Sequence, residues 1–265
     1  MFTQESFGNY NFIHDLPLTE GGNDYHKKHM HPQYELIFVA EGHVEYQVEL
    51  KHYELGAGSL LTIRPGDHHY PLFPDGQPYE FYVIRFDSAD LPAAIRSRIT
   101  ELYDSYTLSG THVPEIFYGI NEQWALLMND PELFHESLRM TLSRILISLL
   151  VLKGESRKAV FTSDSFRRIF EYIDRNCLTI RSLEDLSQAL HMSRSGISKA
   201  FVRQMEVPVM EYIRNRKIVY ARKCLASGMT PGDAAEACGF EDYSSFYRNY
   251  VKIFGEAPSA GKPAL

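Results

Sequence analysis

The chain is poor in cysteine. Cys177, Cys224 and Cys238 are the only three among 265 residues, and all lie in the C-terminal half. An odd, widely spaced set excludes a disulfide-stapled secreted scaffold and lacks the close spacing of a zinc site, so the thiols read as reduced and structural. No run approaches 18 apolar residues, which gives no support for a membrane-spanning helix. The N-terminus MFTQESFGNYNF lacks a basic start followed by an apolar stretch, so no secretory signal is supported and a cytoplasmic location is expected. A strong basic excess is missing too, since the net charge is −7. That balance is uneven along the chain. Residues 161–265 hold 15 Lys and Arg against 12 Asp and Glu, a balance of +3, while residues 1–160 hold 12 against 22, a balance of −10. Only the C-terminal part should approach a polyanion. The length exceeds one ordinary domain and carries apolar content for two cores.

The C-terminal hundred residues read as two helix-turn-helix units, Ser182 to Met205 and Met229 to Gly255. In the final helix of the first, Ile197, Ala200 and Phe201 fall at i, i+3 and i+4 and should pack inward; Arg194, Ser195, Ser198, Lys199 and Arg203 lie elsewhere around it. In the second, Phe246, Tyr250 and Phe254 should pack inward, leaving Ser244, Ser245, Arg248 and Lys252 outward. The expected N-caps, Ser193 and Asp242, are 49 residues apart. Between them Pro208 to Ser227 reads as one helix, with Pro at its first position, Ile213, Val219 or Tyr220, and Leu225 on its buried side, and Gly228 past its end. Twenty residues make a rod of about 30 Å. Major-groove faces along one side of B-DNA lie about 34 Å apart. The rod therefore predicts two reading helices in adjacent turns of the groove.

Residues 165–259 resemble the DNA-binding domain of the AraC/XylS family of bacterial transcription regulators. The resemblance rests on Ser182-Leu183-Glu184-Asp185-Leu186, Met192-Ser193, Ile197-Ser198, Phe201, Tyr212-Ile213, Arg216, Ala221-Arg222, Leu225, Ala234-Ala235, Gly239-Phe240, Ser244, Phe246, Arg248 and Phe254-Gly255. Three departures stand out. His191 occupies the turn position usually held by glycine and must take a positive φ or a different bend. Gly196 sits inside the first reading helix, at a cost of roughly 0.5 to 1 kcal/mol relative to Ala. The ending Pro258-Ser259-Ala260-Gly261-Lys262 lacks the usual Tyr.

From Tyr34 onward, the runs YELIFVAEG, HVEYQVEL, GSLLTIRPGD and YEFYVIRFD alternate with Gly and Pro turns, the pattern of a small antiparallel barrel. Within it His29, His31, Glu35 and Gly42 follow H-x-H-x3-E-x6-G, and Gly58 to His69 follow a second half-motif. These resemble the two cupin motifs, with Arg64 and Phe73 departing from the second. The candidate effector lining is His29, His31, Glu35, Arg64, His69 and Tyr82, groups suited to a sugar or another hydroxyl-rich metabolite. No cofactor is expected. The open alternative is a divalent metal, Zn, Mn, Fe or Ni, on His29, His31, Glu35 and His69. His26 and His68 read as rim histidines.

A helical segment follows. Ile120 to Met128 forms a short stretch, and Pro131 to Leu152 carries Leu138, Leu142, Ile145, Leu149 and Leu152 as an apolar seam, for packing on the barrel or for pairing with a second chain. The resemblance implies a homodimer. The chain is thus expected to be an α+β two-domain protein: a cupin-like antiparallel barrel over residues 1–110, a helical dimerisation segment over 111–155, a linker over 156–164 and an all-α DNA-binding domain over 165–265. Expected partners are double-stranded DNA, a small-molecule effector, a second copy, and RNA polymerase if the protein activates. Two other classes stay open, a metal-dependent cupin isomerase or dioxygenase with a helical appendage, and an architectural DNA-binding protein without effector. The enzyme gives the paired helix-turn-helix units no task.

Overall fold

Strand β3 (Tyr34–Glu41) is buried along its whole length except for its last residue. A strand with one solvated face would alternate, so both of its faces must be covered. The computed structural model, which describes residues 3–7, 10–15, 28–73, 78–161 and 163–259, shows how. The chain divides into two compact units, Met1–Ala159 and Val160–Leu265. In the first, β1 (Thr3–Phe7), β2 (Tyr10–Asp15), β3, β6 (Ser59–Ile63), β8 (Glu80–Phe86) and β9 (Ser105–Thr107) form one antiparallel sheet in the order β1-β2-β8-β3-β6-β9. A second sheet has the order β5-β4-β7, from β4 (His43–Val48), β5 (Lys51–Gly56) and β7 (His69–Leu72).

Period-two alternation sends side chains of the large sheet into two separate cores. Ile37, Val39, Leu61, Ile63, Phe81 and Val83 meet Val44, Tyr46 and Tyr53 of the small sheet in the interior. Tyr34, Leu36, Phe38, Tyr82, Ile84 and Phe86 point the other way, against three helices: α1 (Ala93–Arg96), α2 (Val113–Leu127) and α3 (Pro131–Val151). Strands β1, β2, β5, β7 and β9 go beyond the runs read from sequence. Helix α2 begins seven residues before the expected Ile120, because Pro114 sits in its first turn and starts the helix. The seam Leu138, Leu142, Ile145 and Leu149 is fully buried in the chain's own helix–sheet core, so it is not a free surface for a second chain. Helix α3 has an apolar stripe left over on its outer side, described below. His68 is buried rather than at the rim, held by Glu49. His26 and residues 260–262 lie outside the described residues.

The second unit is helical: α4 (Asp164–Asn176), α5 (Leu183–Leu190), α6 (Arg194–Met205), α7 (Val209–Ala226), α8 (Pro231–Ala237) and α9 (Tyr243–Phe254). Helix α7 runs without interruption for 18 residues, about 27 Å. Pro208 caps it instead of opening it, and Gly228 follows its end at φ +96°. Ile213, Val219 and Leu225 are buried, while Tyr220 is exposed.

Candidate DNA-reading surface and effector site

Both reading helices start on a side-chain cap. Ser193 Oγ accepts from the Gly196 amide at 3.1 Å, and Asp242 Oδ1 accepts from the Ser245 amide at 2.6 Å. Each cap satisfies an amide that the helix leaves unpaired and fixes where the helix begins. The preceding helix α5 carries a capping box between Ser182 and Asp185. His191 ends it at φ 52°, the left-handed conformation that the missing glycine demanded. Ile197, Ala200 and Phe201 of α6 and Phe246 and Tyr250 of α9 are buried. Arg194, Ser195, Lys199, Arg203, Ser244, Arg248 and Lys252 are exposed, and Ser198 and Ser245 are half-buried. Arg248 makes no hydrogen bond or ion pair within the described residues.

The connecting helix is fastened at its middle. Lys217 is 4 % exposed, and its Nζ donates to the carbonyl of Ile180 at 2.7 Å and to that of Gly239 at 3.1 Å. These carbonyls belong to the segment before α5 and to the turn of the second helix-turn-helix. Gly239 has φ +70°, and a Cβ there would lie 2.1 Å from the Leu178 carbonyl oxygen. Only glycine allows that approach. Gly239 was among the residues that carry the resemblance, but Lys217 was not singled out by sequence reasoning; a lysine on the inward side of an amphipathic helix was the available signal.

In the first unit the interior site centres on Glu35. Its register partners are Ile63 on β6 and Arg85 on β8, so β8 brings a guanidinium beside it. Glu35 Oε1 accepts from Arg85 Nε at 2.9 Å, and Oε2 lies 3.0 Å from both His31 Nε2 and His69 Nε2. Burial opposes the charge of Glu35, but the His31 and Arg85 charges outweigh it and hold the carboxyl well below its usual range. His69 Nδ1 donates to the Asp67 carbonyl at 2.9 Å, which leaves Nε2 facing a carboxylate that can only accept. Although burial opposes it, Glu35 raises the His69 pKa above the ordinary histidine value. Burial lowers that of His31.

Arg64 and Tyr82 do not join this cluster. Arg64 lies just beyond β6 and donates to Asp104 Oδ1 at 2.6 Å and to the Leu102 carbonyl. Tyr82 stands on the helix-facing side of β8, stacked on His14 and accepting from Asn121 Nδ2 at 2.8 Å. In their place the structure brings Arg85, Tyr46 and Tyr79 to the cavity beside His29, Glu35 and His69. The sequence run YVIRFD contains Arg85, and counting alternate residues from Val83 would have aimed it inward.

The cavity volume is about 20 Å³. One water needs about 10–15 Å³, and small-molecule pockets run to about 300 Å³ or more, so this conformation has room for a water and not for a metabolite. Donor nitrogens of His29, His31 and His69 lie within 4.8 Å of one another, as a metal site requires. Arg85 argues against one. Its Nη2 is 3.4 Å from His29 Nε2 while its Nε is on Glu35, so a fixed cation already takes the two groups that a metal would. A dication beside the Arg85 guanidinium meets repulsion that one carboxylate does not offset. These residues do not fit a divalent metal while Arg85 keeps its place.

A second polar centre holds the end of the first unit. Asp104, 2 % exposed, accepts from Lys51 Nζ at 2.7 Å, Tyr53 OH at 2.9 Å, Arg64 and the Arg157 amide. Ser105 and Glu155 exchange both backbone hydrogen bonds, and Arg157 donates to the His52 carbonyl. Glu155, just before the expected linker, is therefore docked on β9, and Arg157, inside the linker, is held by Asp104 and by His52 of β5.

Comparison with known proteins fits both units. Residues 18–142 match the model of the AraC-like ligand binding domain, and residues 186–262 match a helix-turn-helix domain model. The chain belongs to the AraC/XylS family of transcription regulators. It is 24% identical over 237 residues to the XylDLEGF operon transcriptional activator 1 of Pseudomonas putida, covering 85% of this chain and 73% of that protein. It is 24% identical over 222 residues to the uncharacterized HTH-type transcriptional regulator YbfI of Bacillus subtilis, covering 82% and 79%. A solved structure of a probable AraC family transcriptional regulator from Rhodopseudomonas palustris is 30% identical and covers 38% of this chain and 100% of that one, with a TM-score of 0.34. This AraC-family protein is a DNA-binding transcription regulator with a ligand-binding domain.

Proposed function

We propose that this regulator is a homodimer whose two reading helices per chain enter successive major grooves, under control of a small polar metabolite taken up by the first unit. The observation that carries the proposal is the pair of capped helices α6 and α9, held in one compact unit by an uninterrupted helix that Lys217 fastens at its middle. Arg194, Ser195, Ser198, Lys199 and Arg203 serve the first half-site and Ser244, Ser245, Arg248 and Lys252 the second. Arg248, exposed and without a partner among the described residues, is the candidate for guanine. The test is a gel-shift measurement on duplexes selected by the full chain: Arg248→Ala should lose about 10- to 100-fold on the selected duplex and relax one base position. Unchanged affinity and preference would remove Arg248 from the reading surface.

The effector site is the interior cluster of His29, His31, Glu35, His69 and Arg85. Its hydrogen-bonding groups suit a hydroxyl-rich ligand such as a sugar, which has to part Arg85 from Glu35 to make room. The energy available for control is the ligand's differential affinity for the open and closed interiors. A metabolite screen by thermal shift tests this, because a ligand bound to the folded state raises the midpoint by mass action.

Dimerisation is assigned to the outer stripe of α3, where Leu133, Met140, Ile147 and Val151 are exposed. An antiparallel two-fold pairing centred on Met140 sets Leu133 against Ile147 and Glu136 against Arg144, a self-complementary arrangement. The barrel takes residues 1–110, the helical segment 111–155, the linker 156–164 and the DNA-binding domain 165–265. The protein acts in the cytoplasm, and contacts RNA polymerase if it activates. Among the described residues no helix is long and apolar enough to cross a membrane.

A further inference from the structure

The two reading helices superpose in sequence at a constant offset of 49, from cap to cap. The buried positions agree in kind: Ile197 answers Phe246, and Phe201 answers Tyr250. Ser195 answers Ser244, and Lys199 answers Arg248. Two outward positions differ in kind. Arg194 and Ser198 of the first helix are replaced in the second by Tyr243 and Tyr247.

Both tyrosines are large, apolar and uncovered, 47% and 40% exposed. Their rings lie 6.3 Å apart, and the Tyr243 ring rests 5.7 Å from buried Phe246, which braces it against the core. Neither hydroxyl makes a hydrogen bond within the described residues. They sit one turn apart beside Ser244 and Arg248, in the first half of the helix. A recognition helix meets base edges with this half.

In the major groove, thymine alone among the four bases presents a methyl group, and apolar side chains read it by contact. Aromatic rings are rigid and offer contact area at low conformational cost. We propose that Tyr243 and Tyr247 read thymine methyl groups, so that the half-site under α9 carries thymines beside the base contacted by Arg248. The half-site under α6, met by Arg194 and Ser198, has no such requirement. The operator is then chemically asymmetric within each chain's footprint. This inference rests on α9 being a groove helix, as proposed above.

The experiment begins with duplexes selected from a random pool by the full chain. Each thymine of the second half-site is then replaced singly by deoxyuridine, which keeps the pairing and removes only the methyl. The wild-type chain should lose about fourfold in affinity at each of one or two positions. Tyr243→Ala and Tyr247→Ala should each bind the thymine and deoxyuridine duplexes equally at one of those positions. Tyr247→Phe should keep the discrimination, because the ring survives. Circular dichroism and thermal midpoints matching wild type show that the variants fold. Equal binding of both duplexes by the wild type overturns the proposal. So do alanine variants that keep wild-type affinity and discrimination, an outcome that assigns the tyrosines to a protein partner. Failure of the wild type to enrich any sequence overturns the groove assignment itself and is a separate result.

Discussion

The ammonium of Lys217 lies 2.7 Å from the carbonyl oxygen of Ile180, in the interior of the second unit. It ties α7 to the start of one helix-turn-helix, and its second bond, to Gly239, ties it to the turn of the other. Replacing Lys217 by Met keeps the apolar stem and removes both bonds. The buried Ile180 carbonyl then loses a partner, at about 1–3 kcal/mol, and the partly buried Gly239 carbonyl loses one at smaller cost. The expected result is a lower thermal midpoint for the second unit, together with weaker binding to every position of a selected duplex. A midpoint and affinity equal to wild type would show that the frame does not depend on this lysine.

Asp104 gives a pH prediction. Burial opposes its charge, but hydrogen bonds from Lys51, Arg64 and Tyr53 prevail and hold its pKa below the ordinary aspartate value. A carboxylate depressed in the folded state contributes stability above the unfolded value of about 3.9, and loses it as pH falls through the folded value. Asp104→Asn should cost about 3 kcal/mol at pH 7, where it leaves Lys51 and Arg64 without their counter-charge. The gap between variant and wild type should narrow once pH falls below about 4 and close only below the depressed folded value. Urea titrations at both pH values read this directly, and a gap independent of pH contradicts it.

Arg85 predicts the response to metal. With the guanidinium in place, the full chain should bind neither Zn nor Ni tightly. Arg85→Ala should free Glu35 and His29 and produce a site for Zn or Ni on His29, His31, Glu35 and His69. Isothermal titration on both chains measures it. Tight metal binding by the wild type would mean that Arg85 swings away at no great cost.

Met140 tests the oligomer. Met140→Glu places two like charges at the centre of the proposed two-fold stripe and should give a monomer by sedimentation velocity. Glu136→Arg should weaken the dimer, and Glu136→Arg with Arg144→Glu should restore it. A dimer indifferent to all three would move the interface elsewhere.

Much of the second unit was legible in the sequence because its signals are local. Ser193, Asp242 and the spacing of Ile197, Ala200 and Phe201 announce a helix within one or two turns, and the cap geometry matches. The first unit was harder because its facts are non-local. Whether Tyr82 or Arg85 faces the interior depends on which sheet face the helices cover, and the one-residue alternation makes any error total. The seam of α3 was read correctly as apolar, yet the pattern alone does not say whether α2 and the sheet or another chain will cover it. Asp104 gave no signal, since its partners come from β5, from Arg64 beyond β6 and from the stretch after α3.

The two caps at the reading helices also differ in charge. Ser193 is neutral and leaves the positive end of the α6 dipole open to an anion, whereas the Asp242 carboxylate already meets that of α9. If both helices enter the groove as proposed, a backbone phosphate should be drawn to the first helix end and repelled from the second. Raising ionic strength should therefore loosen the grip of α6 sooner than that of α9, leaving a complex at high salt that holds the duplex by one hand.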